Sequence, residues 1–375
     1  MVTKPLTKNI DMGRGPLDIS GYQAVDGYQS TQVIAKGLSP QDALELVKTS
    51  GLKGRGGAGF PTGLKWSFVP QGDNSPGQKY FVVNADEMEP GTFKDRLLME
   101  GDPHLLIEGV IIGSYAIQAS KAYIFLRGEY TVSERALKKA IDEAYEKGYL
   151  GSNILGTGFN LDIILHTSAG RYICGEETAL LNALEGKRAI PRAKPPFPQV
   201  SGLWGKPTIV NNVETICNLP GILTYGVDWY HGLTKGKDHG TKLFGVSGKV
   251  NTPGCWELPL GTPIRELFEN YAGGMRDGLE LKGFLPGGGS TDFMLPEHLD
   301  LNLDYDEITK VGSRLATGTM IILDNETCPV GMVGNLMKFF SQESCGFCTP
   351  CRDGLPWVDE IFNEFEYGCG SEKDL

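Results

Sequence analysis

No stretch of this sequence is long and apolar enough to cross a bilayer. The longest apolar run, Leu105 to Ile117, is short for a span and is interrupted by Glu108. The opening residues Met1-Val2-Thr3-Lys4-Pro5 lead into no hydrophobic signal core. Positive charge is also in short supply. The formal net charge of -11 argues against a nucleic-acid partner. A secreted disulfide framework is missing too: of eight cysteines, five are scattered and three fall within seven positions. These absences together point to a cytoplasmic protein whose contact with a membrane, if any, is made through partners rather than by direct insertion.

What is abundant is glycine. The 51 glycines are about twice the usual share, and they cluster rather than repeat at a fixed period. That pattern suits loops shaped around ligands. At 375 residues the chain is long enough for two or three domains. The densest cluster runs from Gly51 to Trp66, with Gly54, Arg55, Gly56, Gly57, Ala58, Gly59 and Phe60 at its heart. Glycine permits close backbone approach, and exposed N–H groups in such a turn suit an anion. Arg55 and Lys65 would add positive charge. The turn is neither a Walker A loop nor a clean Gly-x-Gly-x-x-Gly after a strand. Phe60, Leu64, Trp66 and Phe68 follow it directly, which favours a packed loop over a flexible surface one.

Ser39 caps a helix that delivers the chain into this loop; the segment from Met12 to Ile34 reads as irregular. From Lys79 onward, strands alternate with helices. Tyr80–Val83, Ala122–Leu126 and Leu161–Leu165 read as buried strands, with helices at His104–Ala119 and Ser133–Lys147. Such alternation implies a parallel, Rossmann-like sheet. Polar residues lie just past the first strand, including Asn84, Asp86, Glu87 and Glu89. Open α/β sheets bind ligands at that end of their strands. Past the third strand come Tyr172, Gly175, Glu176 and Glu177, then a helix. One carboxylate at a helix start simply complements the helix dipole. Two in a ligand crevice suggest hydrogen bonds to ribose or to a nicotinamide amide. Lys194 and Phe197 sit in a proline-stiffened loop able to offer a charge and a stacking face. Asn211-Asn212-Val213-Glu214-Thr215 opens a further helix, whose N-terminus is a natural phosphate site.

A polar link at Asp228–His239 leads to a second unit. A hairpin at 241–258, a helix from Pro263 and two more strands describe a small ubiquitin-like α+β domain. Gly287–Gly289 reads as a structural turn. A helix at Val333–Phe340 then precedes Cys345-Gly346-Phe347-Cys348-Thr349-Pro350-Cys351. Three cysteines at this spacing can ligate one iron–sulfur cluster. Zinc more often uses two separated pairs, and a redox dithiol needs only two cysteines. A [4Fe–4S] cluster takes four ligands, and only Cys369 lies downstream.

Taken in order, these motifs closely resemble the NADH-binding, flavin-carrying subunit family of respiratory complex I, the NADH-quinone oxidoreductase of bacteria. The resemblance runs from about residue 40 to about 360. It implies an α/β fold of four parts: an N-terminal segment and glycine loop (1–65), a Rossmann-like FMN/NADH domain (66–235), a ubiquitin-like β-grasp domain (236–325) and an incomplete helical [4Fe–4S] domain (326–375). It implies that Gly54, Gly56, Gly57, Lys65, Asn84, Asp86, Gly175, Glu176, Asn211, Asn212 and Thr215 contact FMN. Phe60, Phe68, Glu87, Glu89, Tyr172, Glu177, Lys194 and Phe197 would form the NADH side. Cys345, Cys348 and Cys351 would ligate the [4Fe–4S] cluster. In the family the fourth ligand lies further downstream and does not match Cys369, so C-terminal truncation is expected.

The implied activity is that of an NADH:quinone oxidoreductase of the translocase class. Hydride passes from NADH to FMN and electrons then leave singly, with no catalytic side chain needed. The carboxylates would read ribose hydroxyls and discriminate against a 2′-phosphate. The implied partners are the [2Fe–2S] subunit and a further iron–sulfur subunit of complex I, in a peripheral arm on the cytoplasmic face of the inner membrane. The nearest rival is the diaphorase subunit of a soluble NAD-dependent hydrogenase or formate dehydrogenase. The short segment before the glycine loop leaves no room for the fused [2Fe–2S] domain that some of these carry. A non-catalytic iron–sulfur scaffold or zinc module would not need the glycine loop.

Overall fold

The computed structural model describes residues 3–11, 13–72 and 77–374. Met1, Val2, Met12, residues 73–76 and Leu375 therefore lie outside the described residues. The first sheet contains β1 (Tyr80–Ala85), β2 (Lys121–Leu126), β3 (Asp162–Thr167) and β4 (Thr208–Asn212), in the order β3-β2-β1-β4. Every pairing is parallel, with Phe81 opposite both Ala122 and Ile209, and Ala122 opposite Ile163. Parallel neighbours need crossovers, and the helices Pro103–Ile117 and Thr131–Glu146 supply two of them. Phe81, Val82 and Val83 are wholly buried, as befits a central strand covered on both faces. β4 is the strand that local pattern failed to show. Thr208-Ile209-Val210-Asn211-Asn212 is short and ends on two amides, and its pairing with β1 makes it a strand.

The N-terminal segment is more regular than its sequence suggests. Helices Ile19–Ala24 and Gln29–Ala35 occupy the stretch expected to be irregular. Each is a short helix of low periodic contrast, stabilised by docking on the main core. Glu108, the residue that interrupts the apolar run, is the docking point. Its buried carboxylate accepts hydrogen bonds from the Tyr22 hydroxyl (2.7 Å) and from the N–H groups of Tyr28 (2.9 Å) and Ser30 (3.1 Å). A buried carboxylate is tolerable only when so satisfied. Residues from Leu6 to Leu52 share one core with the first sheet.

The second sheet has β5 (Thr241–Ser247), β6 (Gly254–Pro259), β7 (Leu281–Leu285) and β8 (Thr319–Asp324), in the order β6-β5-β8-β7. β5 pairs antiparallel with β6 and parallel with β8. A parallel central pair flanked by antiparallel strands is the β-grasp arrangement, with its own core around Phe244, Leu267 and Phe284. Beyond it, helices Pro329–Glu343 and Leu355–Glu366 pack on each other with the cysteine trio between them, and neither helix has a fully buried residue.

Candidate cofactor cleft and cysteine cluster

Two adjoining cavities open at the carboxyl ends of β1 and β4. One, of about 980 Å³, is lined by Gly54, Gly56 to Phe60, Lys65, Phe68, Glu176, Glu177, Lys194, Phe197, Asn211, Asn212 and Thr215, among others. The other, of about 440 Å³, adds Asp86, Glu87, Glu89, Lys94, Asp95, Tyr172, Ser290 and Arg314. Gly56, Gly57, Ala58, Asn84, Gly175, Glu176 and Asn212 border both, so the two form one cleft.

The glycine turn shapes this cleft at two positions. Gly57 has φ +149°, and a Cβ built there would point into open space. Gly56 has no such freedom of space, since a Cβ would lie 2.9 Å from Cβ of Asn212. The turn is held by the Arg55 N–H donating to Thr215 Oγ1 (2.8 Å) and the Gly54 N–H donating to Phe60 O (2.9 Å). The Arg55 side chain departs from expectation. It is completely buried, points away from the cleft, and donates to the Tyr230 hydroxyl (3.0 Å) and His239 O (2.9 Å). Flanked by glycines, the backbone turns it under the loop, so it braces the turn and offers no charge to a ligand.

The amides are equally committed. Asn84 donates to Gly175 O (2.9 Å), Asn211 accepts the Trp66 indole N–H (2.8 Å), and Asn212 caps the helix that begins at Val213. Lys65 donates to Glu177 (2.7 Å) and to Val210 O (2.9 Å). Lys194 lies 2.9 Å from Glu177 and 3.5 Å from Glu176. Burial works to raise the Glu177 carboxyl, but Lys65 and Lys194 outweigh it and hold it below the usual range. The paired glutamates divide their tasks. Glu176 accepts the N–H groups of Thr178 (2.9 Å) and Ala179 (2.8 Å) as a helix cap, and Glu177 forms the ion pairs.

The inner end is acidic. Asp86 Oδ1 accepts from Ser168 (3.1 Å), whereas its Oδ2 is buried without a partner. Burial pushes this carboxyl up to about 7. Glu89 is held by the Tyr172 hydroxyl (2.6 Å) and the Ser290 N–H (2.6 Å). Glu87, expected on the NADH side with Glu89, differs. It accepts the N–H groups of Asp95 (2.8 Å) and Arg96 (3.1 Å), so its carboxylate serves the start of the helix Lys94–Gly101. That helix leaves its first N–H groups without intrahelical partners, and Glu87 satisfies two of them.

Sequence reasoning missed Lys94, Asp95, Ser290 and Arg314. Lys94 and Asp95 carry no recognisable local pattern. Ser290 follows the Gly287–Gly289 turn, which does more than reverse the chain. Gly288 approaches Glu89 so closely that a Cβ would lie 2.6 Å from Glu89 Cγ. A further glycine cluster in a glycine-rich chain was the available signal. Tyr172 also links the cleft to the cysteine arm, packing against Phe339 and Phe340 while its N–H donates to Glu343 (3.0 Å).

Cys345, Cys348 and Cys351 are free thiols lying side by side. Burial and the neighbouring Cys348 and Cys345 raise the Cys351 thiol. Among the described residues no set of three His, Cys, Asp or Glu side chains is closed into a metal cage. The donor set itself, three adjacent thiols on a short turn, suits soft iron more than a hard cation. Cys369 is exposed at the end of the second helix, and its thiol contacts Tyr367 O.

A parallel sheet with a glycine-lined cleft at its strand ends, a β-grasp unit closing one side and a cysteine trio beside it define a nucleotide-binding redox subunit. Three family models match in that order. They are the Nuo51 FMN-binding domain over residues 47–221, the SLBB domain over 243–290 and the NADH-ubiquinone oxidoreductase-F iron-sulfur binding region over 331–375. NADH-quinone oxidoreductase-F of Escherichia coli (strain K12) is 56% identical over 373 residues, covering 100% of this chain and 84% of that protein. The corresponding protein of Mycobacterium tuberculosis (strain CDC 1551 / Oshkosh) is 51% identical over 361 residues, covering 95% and 81%. Among solved structures, an NAD+-reducing [NiFe]-hydrogenase in the H2-reduced state superposes with a TM-score of 0.80 at 34% identity. That match covers 93% of this chain and 57% of the hydrogenase chain. The chain belongs to the NADH-quinone oxidoreductase-F family. It is an oxidoreductase subunit with an FMN-binding domain and an iron–sulfur binding region.

The cleft fits a flavin nucleotide on its own features. A glycine wall admits a flat ring closely, Gly57 leaves open space where a side chain would stand, and Asp86 presents a buried, unpartnered oxygen.

Proposed function

We propose that this chain is the electron-input subunit of an NADH:quinone oxidoreductase. FMN bound in the cleft supplies hydride acceptance from NADH and one-electron release, and a [4Fe–4S] cluster on Cys345, Cys348 and Cys351 supplies the next carrier. The chain's own residues hold and orient. Gly54, Gly56, Gly57, Ala58, Gly59, Asn84 and Gly175 form the wall for the flavin. Asn211, Asn212 and Thr215 brace that wall from behind. Phe60, Phe68 and Phe197 present apolar faces on the outer side, where a nicotinamide dinucleotide would stack. Glu176, Glu177 and Lys194 are placed to read ribose hydroxyls, and Glu89 with Tyr172 borders the inner end.

The carrying observation is the continuous cleft that joins the glycine wall to the three phenylalanines and to the Tyr172–Glu343 link with the cysteine arm. Identity of 56% to the Escherichia coli relative favours assembly with the [2Fe–2S] subunit and a further iron–sulfur subunit of complex I. It equally favours a place on the cytoplasmic side of the membrane, with quinone as final acceptor. No described helix is long and apolar enough to cross a membrane. The hydrogenase likeness keeps a diaphorase role as the second reading. Protein reconstituted with FMN is expected to show bound-flavin absorbance and to reduce ferricyanide with NADH. A colourless protein that retains no FMN overturns both readings. Co-purification with a hydrogenase rather than with the iron–sulfur subunits of complex I decides for the second.

A further inference from the structure

Beneath the glycine turn lies a set of charges that the proposed cofactor contacts do not use. Glu214, two residues past Asn212, is completely buried. Its Oε2 lies 2.7 Å from Lys94 Nζ and 3.1 Å from Lys242 Nζ, and its Oε1 accepts the Leu243 N–H at 2.8 Å. Lys242 and Leu243 belong to β5, in the second sheet. Lys94 also reaches Asp95 Oδ1 at 2.7 Å, and Asp95 Oδ2 accepts from Asn212 Nδ2 at 2.6 Å. Asn212 in turn backs Gly56 at near-contact distance. An unbroken line of contacts therefore runs from the β-grasp domain to the cleft wall: Lys242, Glu214, Lys94, Asp95, Asn212, Gly56.

Such a cluster could serve only to join two domains. Two observations give it more to do. Lys94, Asp95 and Asn212 themselves line the cleft. The cluster is also not neutral. Two lysines meet two carboxylates, and the buried Arg55 beside them has no carboxylate partner among the described residues, its Nε and Nη1 being unpartnered. Fixed charge in a water-poor wall acts on a neighbouring ligand far more strongly than in solvent.

We infer that Glu214 is a positioning residue for the flavin, the joint through which the β-grasp domain fixes the Asn212–Gly56 wall and sets the electric field at it. The inference rests on the reading that FMN occupies this cleft. Removing one partner of a buried pair leaves the other uncompensated. Reduced flavin carries more negative charge than oxidised flavin, so the two sides of the joint have opposite electrostatic consequences.

The test uses the full chain reconstituted with FMN, with Glu214→Gln, Lys242→Met and Lys242→Arg. FMN release is followed by flavin fluorescence and the flavin midpoint potential by absorbance during redox titration. Both Glu214→Gln and Lys242→Met are expected to hold FMN roughly tenfold less tightly. The potential should rise in Glu214→Gln, which removes negative charge, and fall in Lys242→Met, which removes positive charge. Lys242→Arg should restore both. Weakened FMN binding with unmoved potentials, or shifts of the same sign, makes the cluster structural and overturns the inference. If Glu214→Gln does not fold, the Lys242 pair decides alone by the sign of the shift and its rescue. Wild-type protein that binds no FMN refutes the functional reading, and this inference with it.

Discussion

The two ends of the cleft are built on opposite principles. At the inner end, Asp86 is 5% exposed, Glu87 6% and Asp95 3%, and most of their oxygens are committed to protein donors. At the outer end, Phe60, Phe68 and Phe197 are 47%, 52% and 54% exposed. Their apolar faces wait for a ligand to cover them. A wall whose polar groups are fixed beforehand loses little ordering entropy on binding and suits a resident cofactor. Exposed rings beside flexible lysines suit a ligand that arrives and leaves. Large exposed apolar side chains grouped at one mouth are informative in a way that single ones are not.

This contrast can be broken in three ways. Gly57→Val has the largest expected effect. It forces a β-branched residue to φ +149° and projects it into the space left for the cofactor. Flavin content should be lost, with iron and sulfide content of the cysteine arm retained. Normal flavin content in that variant would remove the turn from the site.

Asp86→Asn comes second and acts on the inner end alone. Burial raises this carboxyl from 3.8 to about 7. With the folded value above the unfolded one, the folded chain keeps a proton that the unfolded chain has lost. Stability from this group is then fully present below about pH 4 and declines as pH rises through about 7. A shift of about three units corresponds to roughly 4 kcal/mol as an upper bound. Flavin-free Asp86→Asn should therefore gain on the wild type between pH 5 and pH 8 in chemical denaturation. Glu87 is raised to about 7 by burial as well, so the difference between the two proteins is the quantity to read. A difference that does not change with pH would show that Asp86 is already ionised.

Phe197→Ala should have the smallest effect. Stacking is worth about 0.5–1.5 kcal/mol, a few-fold to roughly tenfold in KM for NADH, with kcat and flavin content unchanged. Loss of flavin in this variant would mean that the two ends are not separate.

Much of the first sheet was legible because parallel strands covered on both faces read as continuous apolar runs, as Phe81-Val82-Val83 does. The β-grasp unit was legible from its alternation of hairpin, helix and strands. The ends of elements were less so. β4 exists because β1 offers it a partner, and helices Ile19–Ala24 and Gln29–Ala35 because Glu108 satisfies the backbone between and around them. At the site, the glycine turn, the carboxylate motifs and the cysteine spacing were visible as local patterns. Arg55 was misread for a reason of principle. Sequence gives its charge and its neighbours, but the direction of a side chain on a glycine turn depends on what packs beneath it.

By itself the sequence determined the elements that local physics controls: the alternating periods, the glycine turn, the three thiols within seven positions and the family they mark. Tertiary structure alone decided which charges meet. Lys242 and Glu214 are 28 residues apart and Arg55 O lies 187 residues from Lys242, yet all converge under one turn. Nothing local encodes such a meeting. Electrostatic energy depends on distance through space and on the water excluded between charges, and both are set only when the two sheets pack.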